Sequence, residues 1–321
     1  MRAGADDVDV EVVGAGVVGL TCALELARAG RRVRVLADRP PAQTTSAVAA
    51  AIWFPYAAAP ADRVLAWGGA TLRRFLELAA DAETGVVVRG GVMCHRAEEP
   101  DLAWTAEVAG HRPAHADELP AGVPAGTWCA LPVIDMDIYL RWLRAQVADA
   151  GVAIAPDRRV RSLDELDAPT VVVAAGLGAR ELVGDGAVFA VRGQVVRVRN
   201  PGLGRWVIDD DHPAGMTYVV PRASDVVLGG TADRGAEGVE PDPDVEAAIL
   251  ARARALVPAL PDAPVVSRAV GLRPARSTVR LERVDAGGRA VVHCYGHGGA
   301  GVTLSWGCAA EVVALVAADS G

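Results

Sequence analysis

The sequence predicts an α/β fold in which a Rossmann-like nucleotide-binding domain is interleaved with a second domain built on a mainly antiparallel sheet. Three observations favour this fold. A strand, a glycine-rich turn, a helix and a second strand follow one another over residues 8–38, and another apolar strand lies at residues 170–175. Strand-like segments separated by turn residues fill much of residues 188–231, which is typical of an antiparallel sheet.

The opening segment has the order of a dinucleotide-binding unit. Residues 8–13 form a β-branched run typical of a buried strand, and residues 17–29 have the apolar spacing of a helix. Gly30 stands where a left-handed residue would end that helix. Residues 33–36 then form a second strand. The glycine pattern GxGxxG therefore lies between a strand and a helix, as dinucleotide binding requires.

The glycines of this turn have separate physical roles. Gly14 permits a tight turn, Gly16 allows the backbone to approach a pyrophosphate, and Gly19 lets the helix pack against the strand. The helix N-terminus offers free N–H groups and the positive end of its dipole to phosphates. Asp38, at the end of the second strand, is placed to accept a hydrogen bond from a ribose hydroxyl. The alternative is a glycine-rich turn in an unrelated α/β domain.

The rest of the chain continues the alternation of helices and strands. Residues 39–46 form a loop with two prolines and a hydroxyl cluster, and residues 96–134 are rich in loops. Helical spacing predicts helices over residues 65–80, 139–150 (starting near Asp137), 241–257 and 302–318. Strand patterns cover residues 86–94, 152–154, 158–160, 170–175, 188–198, 216–220, 226–231 and parts of 265–295.

These segments suggest two domains that alternate along the chain. Strands of the nucleotide-binding type occur at its start, middle and end, and sheet-like material lies between them. We therefore assign residues 1–50, 135–185 and 264–321 to the nucleotide-binding domain and residues 51–134 and 186–263 to a substrate domain. A cleft between the two would be the natural site. Residues 1–7 are expected to be a frayed terminus.

Composition restricts the classes of partner. The chain has 321 residues, a formal net charge of −8 and no lysine. This acidic balance argues against nucleic acid or a membrane surface as the main partner. The odd set of five cysteines contains no CxxC pair, and the start carries no secretion signal. We expect reduced, mostly buried thiols, and no metal site because the histidines and cysteines are scattered along the chain. A cytoplasmic location and no membrane span are also expected.

Several motifs, taken together, resemble the D-amino-acid oxidases, which are FAD enzymes. The resemblance spans about residues 10–318, and its most specific part is GLRPAR followed by YGHGGAG. The motifs are GAGVVG at residues 14–19, ADR at 37–39, TTSAVAA at 44–50, RGQ at 192–194, GLRPAR at 271–276 and YGHGGAG at 295–301. The first domain is then an FAD-binding domain.

This resemblance implies a set of residues for non-covalent FAD. The residues match six parts of the family's FAD site. These are the pyrophosphate turn, the adenosine end, the hydroxyl loop, the backbone beside the flavin ring, the strand bordering the adenine and the segment at the flavin's pyrimidine edge. The matching positions are Gly14, Ala15, Gly16, Val17, Val18, Gly19, Asp38, Arg39, Thr44, Thr45, Ser46, Ala50, Ala51, Ile52, Arg158, Val160, Gly298, Gly299, Gly301, Val302 and Thr303.

The resemblance also implies how an amino acid would bind. Arg273 matches the arginine that takes the substrate carboxylate, and Tyr218 matches the tyrosine that donates to it. The carbonyl of Gly299 matches the acceptor for the substrate amine. No side chain is expected to act as a base at the α-carbon if hydride transfers directly. The predicted reaction is oxidative deamination of neutral or hydrophobic D-amino acids by O₂, with H₂O₂ as a product.

Other interpretations stay open at this point. A D-aspartate or glycine oxidase would use the same fold, an NAD(P)-dependent dehydrogenase would use the glycine turn alone, and a nucleotide-binding module would not turn over. The acidic run at residues 209–211 disfavours binding of a substrate with an acidic side chain, although Arg222 could face the pocket. We expect Arg276 and His297 to be structural, and a homodimer is compatible with the sequence.

Overall fold

The computed structural model describes residues 8–260 and 263–318, so residues 1–7 lie outside it. The strands are β1 Val10–Val13, β2 Val33–Leu36, β3 Val86–His95, β4 Arg112–Pro113, β5 Ala125–Ile134, β6 Ala153–Ala155, β7 Thr170–Val173, β8 Phe189–Arg199, β9 Trp206–Asp209, β10 Thr217–Pro221, β11 Asp225–Gly229, β12 Asp233–Arg234, β13 Val265–Ala286 and β14 Arg289–His297. The α-helices are α1 Val17–Arg28, α2 Thr45–Val48, α3 Ala61–Leu78, α4 Met136–Asp149, α5 Ala179–Leu182, α6 Pro243–Leu256 and α7 Gly301–Ala317. Within the described ranges, no helix combines the length and the apolar character needed to cross a membrane.

One continuous sheet contains these strands, and its two parts differ in direction. The order is β4-β5-β3-β9-β10-β11-β8-β13-β14-β7-β1-β2-β6, and β12 pairs with β8. The pairs β14–β7, β7–β1, β1–β2 and β2–β6 are parallel. The strands from β8 to β11 and the pair β3–β5 are antiparallel, whereas β3 and β9 run parallel. The predicted fold class is confirmed.

The parallel part has the apolar strands and helices of a nucleotide-binding core. All residues of β1 are buried, including Glu11, whose carboxylate pairs with Arg34 and accepts from the backbone N–H of Asp167 and Ala168. Helix α1 packs against α7 and buries Leu20, among others, on this sheet. The buried strand is followed by a helix whose N-terminus points to the carboxyl ends of the strands, where such folds bind ligands.

The long strand β13 connects the two parts of the sheet. Its first half pairs with β8, from Val265 opposite Val198 to Ala275 opposite Phe189. Its second half pairs with β14, from Arg280 to Ala286. The same strand therefore carries hydrogen bonds to both parts, and the division into domains given above stays a prediction.

Some local predictions were wrong. Residues 158–160 form no strand but an irregular segment that follows β6, anchored where the Arg158 N–H donates to the Ala37 carbonyl. The loop-rich interpretation of residues 96–134 missed β5, a ten-residue strand that contains Gly126 and Pro132 and pairs with β3. The start of helix α4, by contrast, was predicted correctly: it begins at Met136, next to Asp137, and the Asp135 side chain accepts from the Asp137 N–H and caps it.

Candidate active site

The main cavity lies at the carboxyl ends of the parallel strands. Its volume is about 1120 Å³. It extends from Asp38 and Arg158, next to β2, to Tyr218 and Arg273 in the antiparallel part. All the site residues predicted from the sequence line it except Gly19. One cavity therefore brings together positions that are separated by more than 250 residues in the chain.

The turn between β1 and α1 has no room for a side chain at Gly14 or at Gly19. Gly14 has a φ of +120°, and a Cβ there would lie 2.3 Å from the carbonyl oxygen of Ala174. A Cβ on Gly19 would lie 2.0 Å from the carbonyl oxygen of Gly14, so Gly19 shapes the turn from outside the cavity. These contacts support the roles given to Gly14 and Gly19 in the turn and in packing.

The hydroxyl loop lies over this turn. The Val17 N–H donates to Ser46 Oγ over 3.0 Å, and Gly16, the N-cap residue of α1, has no side chain to do so. Thr45 donates its hydroxyl to the Leu272 carbonyl at 3.0 Å, which ties the loop to β13. The predicted neighbourhood of loop, glycine turn and β13 is therefore present, with α1 directing its N-terminus into the cavity.

The end of the cavity beyond β2 is polar and open. Asp38 and Arg39 are exposed and form an ion pair with an N–O distance of 3.0 Å. Arg158 and Val160 line the cavity beside them from the irregular segment after β6. Asp38 and Arg39 therefore lie next to Arg158 and Val160, although the strand predicted at residues 158–160 is absent.

Two backbone segments form the wall at the middle of the cavity. Ala51 has a φ of +53°, and its carbonyl accepts from the Ile134 N–H at 2.8 Å. Ala50, Ala51 and Ile52 thus lie beside β5, where Ile52 forms a bridge with Val133, and they line the cavity. Because this segment is held by β5, its position depends on a strand that the sequence did not indicate.

The N-terminus of α7 forms the other side of this wall. Ala300 is its N-cap residue and provides no side-chain hydrogen bond, so the first N–H groups of the helix have no cap from that residue. The Thr303 hydroxyl accepts from the Phe54 N–H at 3.2 Å and donates to the Phe54 carbonyl at 2.9 Å. Gly298, Gly299, Gly301 and Val302 complete the segment that lines the cavity.

Arg273 rests on a glycine of the neighbouring strand. Gly271 is opposite Gly193 in the β13–β8 pair, so the side chain of Arg273 leans diagonally over Gly193. A Cβ on Gly193 would lie 2.4 Å from both terminal nitrogens of the guanidinium. Nη1 donates to the Thr231 carbonyl at 2.8 Å. The half-buried guanidinium is therefore held in place with part of its hydrogen-bonding capacity unused.

The side chain of Tyr218 also packs against a glycine of the neighbouring strand. It is opposite Gly229 in the β10–β11 pair, and a Cβ on Gly229 would lie 2.0 Å from the ring and 2.2 Å from the hydroxyl. Burial raises the pKa of Tyr218, and the positive charge of Arg273 offsets part of that rise. The phenol thus stays protonated at neutral pH and can donate a hydrogen bond beside the guanidinium.

A family model described as FAD dependent oxidoreductase (DAO) matches residues 9–315. The chain belongs to this family. It is 50% identical over 311 residues to a D-amino-acid oxidase of Rubrobacter xylanophilus, covering 96% of this chain and 95% of the relative. It is 48% identical to a D-amino-acid oxidase of Streptomyces coelicolor, covering 96% and 97%. The structure of glycine oxidase from Bacillus cereus aligns with a TM-score of 0.83 at 20% identity, covering 98% of this chain and 96% of that one.

The cofactor of this oxidoreductase is FAD, and the residues present fit it. The cavity offers the N-termini of α1 and α7, a turn with glycine at positions 14 and 16, and hydroxyl groups at Thr44 and Ser46. These groups suit a diphosphate and a polar ring edge, because both present negative charge or acceptors to N–H groups. An NAD(P) dehydrogenase would leave the second helix N-terminus unexplained.

Two residues of the site were missed as ligand candidates. Tyr56 follows the backbone segment of the cavity wall, and its ring would lie 2.7 Å from a Cβ on Gly299. Asp210 follows β9 and lines the cavity beside Met216. The sequence identifies Asp210 only as part of the acidic run at residues 209–211. Neither position has a local motif that could have identified it.

Other side chains discussed above lie away from the cavity. Arg222 is 2% exposed, pairs with Asp225 and Asp135, and does not face the pocket. Arg276 is structural as expected, with its Nε 3.2 Å from a carboxylate oxygen of Asp185. Arg222 therefore provides no positive charge for an acidic substrate.

The cysteines are buried and free, as expected, but they are less scattered than the sequence suggests. Cys294, His297 and Cys308 are buried, and their ligand-type atoms lie within 4.8 Å of one another. Burial lowers the pKa of His297 to about 4, so its ring is neutral. The expectation of no metal rested on scattered residues, and for these three that premise was wrong.

Proposed function

We propose that this protein oxidises D-amino acids with neutral or hydrophobic side chains to 2-oxo acids, with release of ammonia and H₂O₂. The observation that carries the proposal is the guanidinium of Arg273, seated on Gly193 in the cavity that the glycine turn lines. The high identity to two D-amino-acid oxidases supports the same reaction.

The substrate would be held by the residues that the motifs indicate. Arg273 binds the α-carboxylate bidentately, and Tyr218 donates a hydrogen bond to the same group. The carbonyl of Gly299 accepts from the α-amine; its residue lies close to Arg273, with 3.7 Å between a Cβ there and Arg273 Cδ. With both ends fixed, the α-hydrogen points in one direction only, which gives stereochemical selection.

The reaction then balances without a side-chain base at the α-carbon. The neutral amine loses a proton as the α-carbon gives up its hydrogen with two electrons, leaving an imino acid. When bound, FAD would supply the acceptor for this hydride and the route by which the electron pair reaches O₂, which with two protons gives H₂O₂. Water adds to the imino acid and releases ammonia and the 2-oxo acid. Protein residues act here by orientation and electrostatics.

The finer assignments of partners also belong to this proposal. Small D-amino acids and O₂ are the partners, and we propose a cytoplasmic location, which five free, buried thiols support. Light scattering of the purified protein would test whether two copies associate as a homodimer. D-Aspartate or glycine as the main substrate is the alternative, and a substrate panel at neutral pH decides between them.

The first experiment is an absorption spectrum of the purified protein under anaerobic conditions, before and after D-alanine and then L-alanine. Bleaching of the oxidised flavin bands at about 450 nm with D-alanine alone is the expected result. Unchanged bands with both isomers would contradict the neutral substrate class. Absence of flavin even after FAD is added would contradict the proposal as a whole.

A further inference from the structure

We propose that Asp210 selects the charge of the substrate side chain, excluding acidic D-amino acids and admitting long cationic ones such as D-lysine beside the neutral ones. This inference rests on the proposed function. It concerns a carboxylate in the wall of the cavity that holds Arg273 and Tyr218.

The backbone directs Asp210 and Asp209 to different environments. Asp209, the last residue of β9, is fully buried and pairs with Arg96 at 2.7 Å. Asp210 is the next residue, and its side chain points to the opposite face from that of Asp209. It lines the cavity together with Ile208. The charge of Asp209 is therefore neutralised inside the protein, whereas the carboxylate of Asp210 faces the substrate space.

Asp210 has no ion-pair partner among residues 8–260 and 263–318. Ion pairs there include one between Asp209 and Arg96, but none involves Asp210 or the exposed Asp211. The negative charge of Asp210 contributes to raising the pKa of both Tyr56 and Tyr218, so it acts on the substrate-facing phenols. A cation placed in this part of the cavity would supply the partner that the chain does not.

The neighbouring groups suit a long side chain with a charged end. Ile208 and Met216 give the cavity an apolar wall next to Asp210, which can cover methylene groups. Arg273 lines the same cavity, and in the proposed complex its guanidinium is bound to the substrate α-carboxylate. A second carboxylate on the substrate would therefore meet Asp210 with no arginine to bind it, since Arg222 points elsewhere.

The selection depends on pH. Burial and the carboxylates of Asp211 and Asp209 raise the pKa of Asp210 to about 6. Tyr56 and Tyr218 interact electrostatically with Asp210, and burial raises the pKa of both phenols above the ordinary value of 10, so neither changes its charge near pH 6. Asp211 and His212 are the titratable side chains that follow in the loop, and the His212 Nδ1 accepts from the Ala214 N–H. Attraction for a cation should thus weaken below about pH 6 as Asp210 is protonated.

Two matched substrate pairs test the proposal in opposite directions. D-Lysine and D-norleucine differ in the terminal charge, and so do D-glutamate and D-glutamine. In Asp210→Asn, kcat/KM for D-lysine relative to D-norleucine should fall roughly tenfold, while D-glutamate relative to D-glutamine should rise by a similar factor. Asp211→Asn, at an exposed position outside the cavity lining, is the control; measured at about pH 8, where Asp210 is ionised with or without Asp211, it should leave both ratios unchanged.

The wild-type enzyme provides a second measurement that needs no variant. Its D-lysine to D-norleucine ratio should fall between about pH 8 and about pH 5, and Asp210→Asn should lose this dependence. Ratios that stay constant in both tests, with D-norleucine still oxidised, would overturn the role of Asp210 alone. If no D-amino acid bleaches the flavin of the wild type, the proposed function itself fails.

Discussion

Gly193 gives the sharpest test of how the substrate carboxylate is held. In Gly193→Ala, the new Cβ would lie 2.4 Å from both terminal nitrogens of Arg273. An ordinary contact needs about 3.4 Å or more, so the guanidinium must move by about 1 Å. The backbone at Gly193 has no positive φ, and the group that gives way is the flexible end of a side chain. We therefore expect a folded protein with a displaced arginine.

The cost to catalysis follows from the bonds that this displacement disturbs. A charge-assisted hydrogen bond contributes about 1.5 to 3 kcal/mol, and the carboxylate clamp contains two of them. Losing about half of their combined strength, roughly 2 kcal/mol, lowers kcat/KM for D-alanine about thirtyfold. Most of this should appear as a higher KM, because the clamp also holds the ground state.

The assay is steady-state oxidation of D-alanine, with flavin content and thermal melting measured on the same samples. Gly204→Ala is the matched control, since a Cβ at Gly204 meets no atom within 4 Å. It should keep kcat/KM, flavin content and melting temperature at the wild-type values. A Gly193→Ala enzyme whose kcat/KM stays within about threefold of the wild type would refute this account of Arg273.

Three further outcomes follow from the same geometry. Tyr218→Phe should lower kcat/KM about tenfold by removing one hydrogen bond to the carboxylate, and wild-type kinetics would exclude that bond. Gly14→Ala should lose FAD and stability together, because its Cβ would lie 2.3 Å from the backbone oxygen of Ala174; a flavin-loaded variant would contradict this. Burial lowers the pKa of His293 to about 4, so the unfolded chain binds more protons below the ordinary value of 6.5 and stability is lost as the pH falls toward 4. His293→Phe, which keeps an aromatic ring against Tyr295, should flatten that loss in melting curves by up to about 3 kcal/mol, and an unchanged slope would argue against it.

The sequence could predict the glycine turn because its constraints are local. Gly14, Gly16 and Gly19 are explained by a strand, a turn and a helix that are consecutive in the chain, and the structure has that order. Gly30 likewise follows α1 with a φ of +82°. Such positions are set by backbone conformation within a few residues, so a pattern of amino-acid types is sufficient to identify them.

The contacts that hold the proposed substrate-binding side chains in place could not be predicted in this way. The contact of Arg273 with Gly193, and of Tyr218 with Gly229, depends on the register of strand pairs. Arg222 also depends on long-range pairing: its ion pair with Asp135 brings the start of α4, which follows β5, to the loop after β10, three strands away in the sheet. A charged residue beside a motif can turn either way, and only long-range pairing decides which.

The irregular segment at Arg158 shows a different limit. Its alternating pattern resembles a strand, yet its N–H bonds to Ala37 and no ladder forms. The missed β5 contains Gly126 and Pro132, residues that weaken a strand pattern, and is stabilised by ten paired positions on β3. In both places tertiary pairing outweighed the local preference.

The length of β13 has a consequence for any attempt to exchange substrate specificities between relatives. Arg273 lies in the half of β13 that pairs with β8, and the following half pairs with β14, whose end leads directly into Gly298–Gly301. A transplanted substrate-binding segment would have to cut this strand or replace its pairing on both sides. Substrate specificity is therefore better changed by single substitutions along the cavity than by exchanging a whole segment. Because β13 pairs with both parts of the sheet, we also expect the protein to unfold in one cooperative transition.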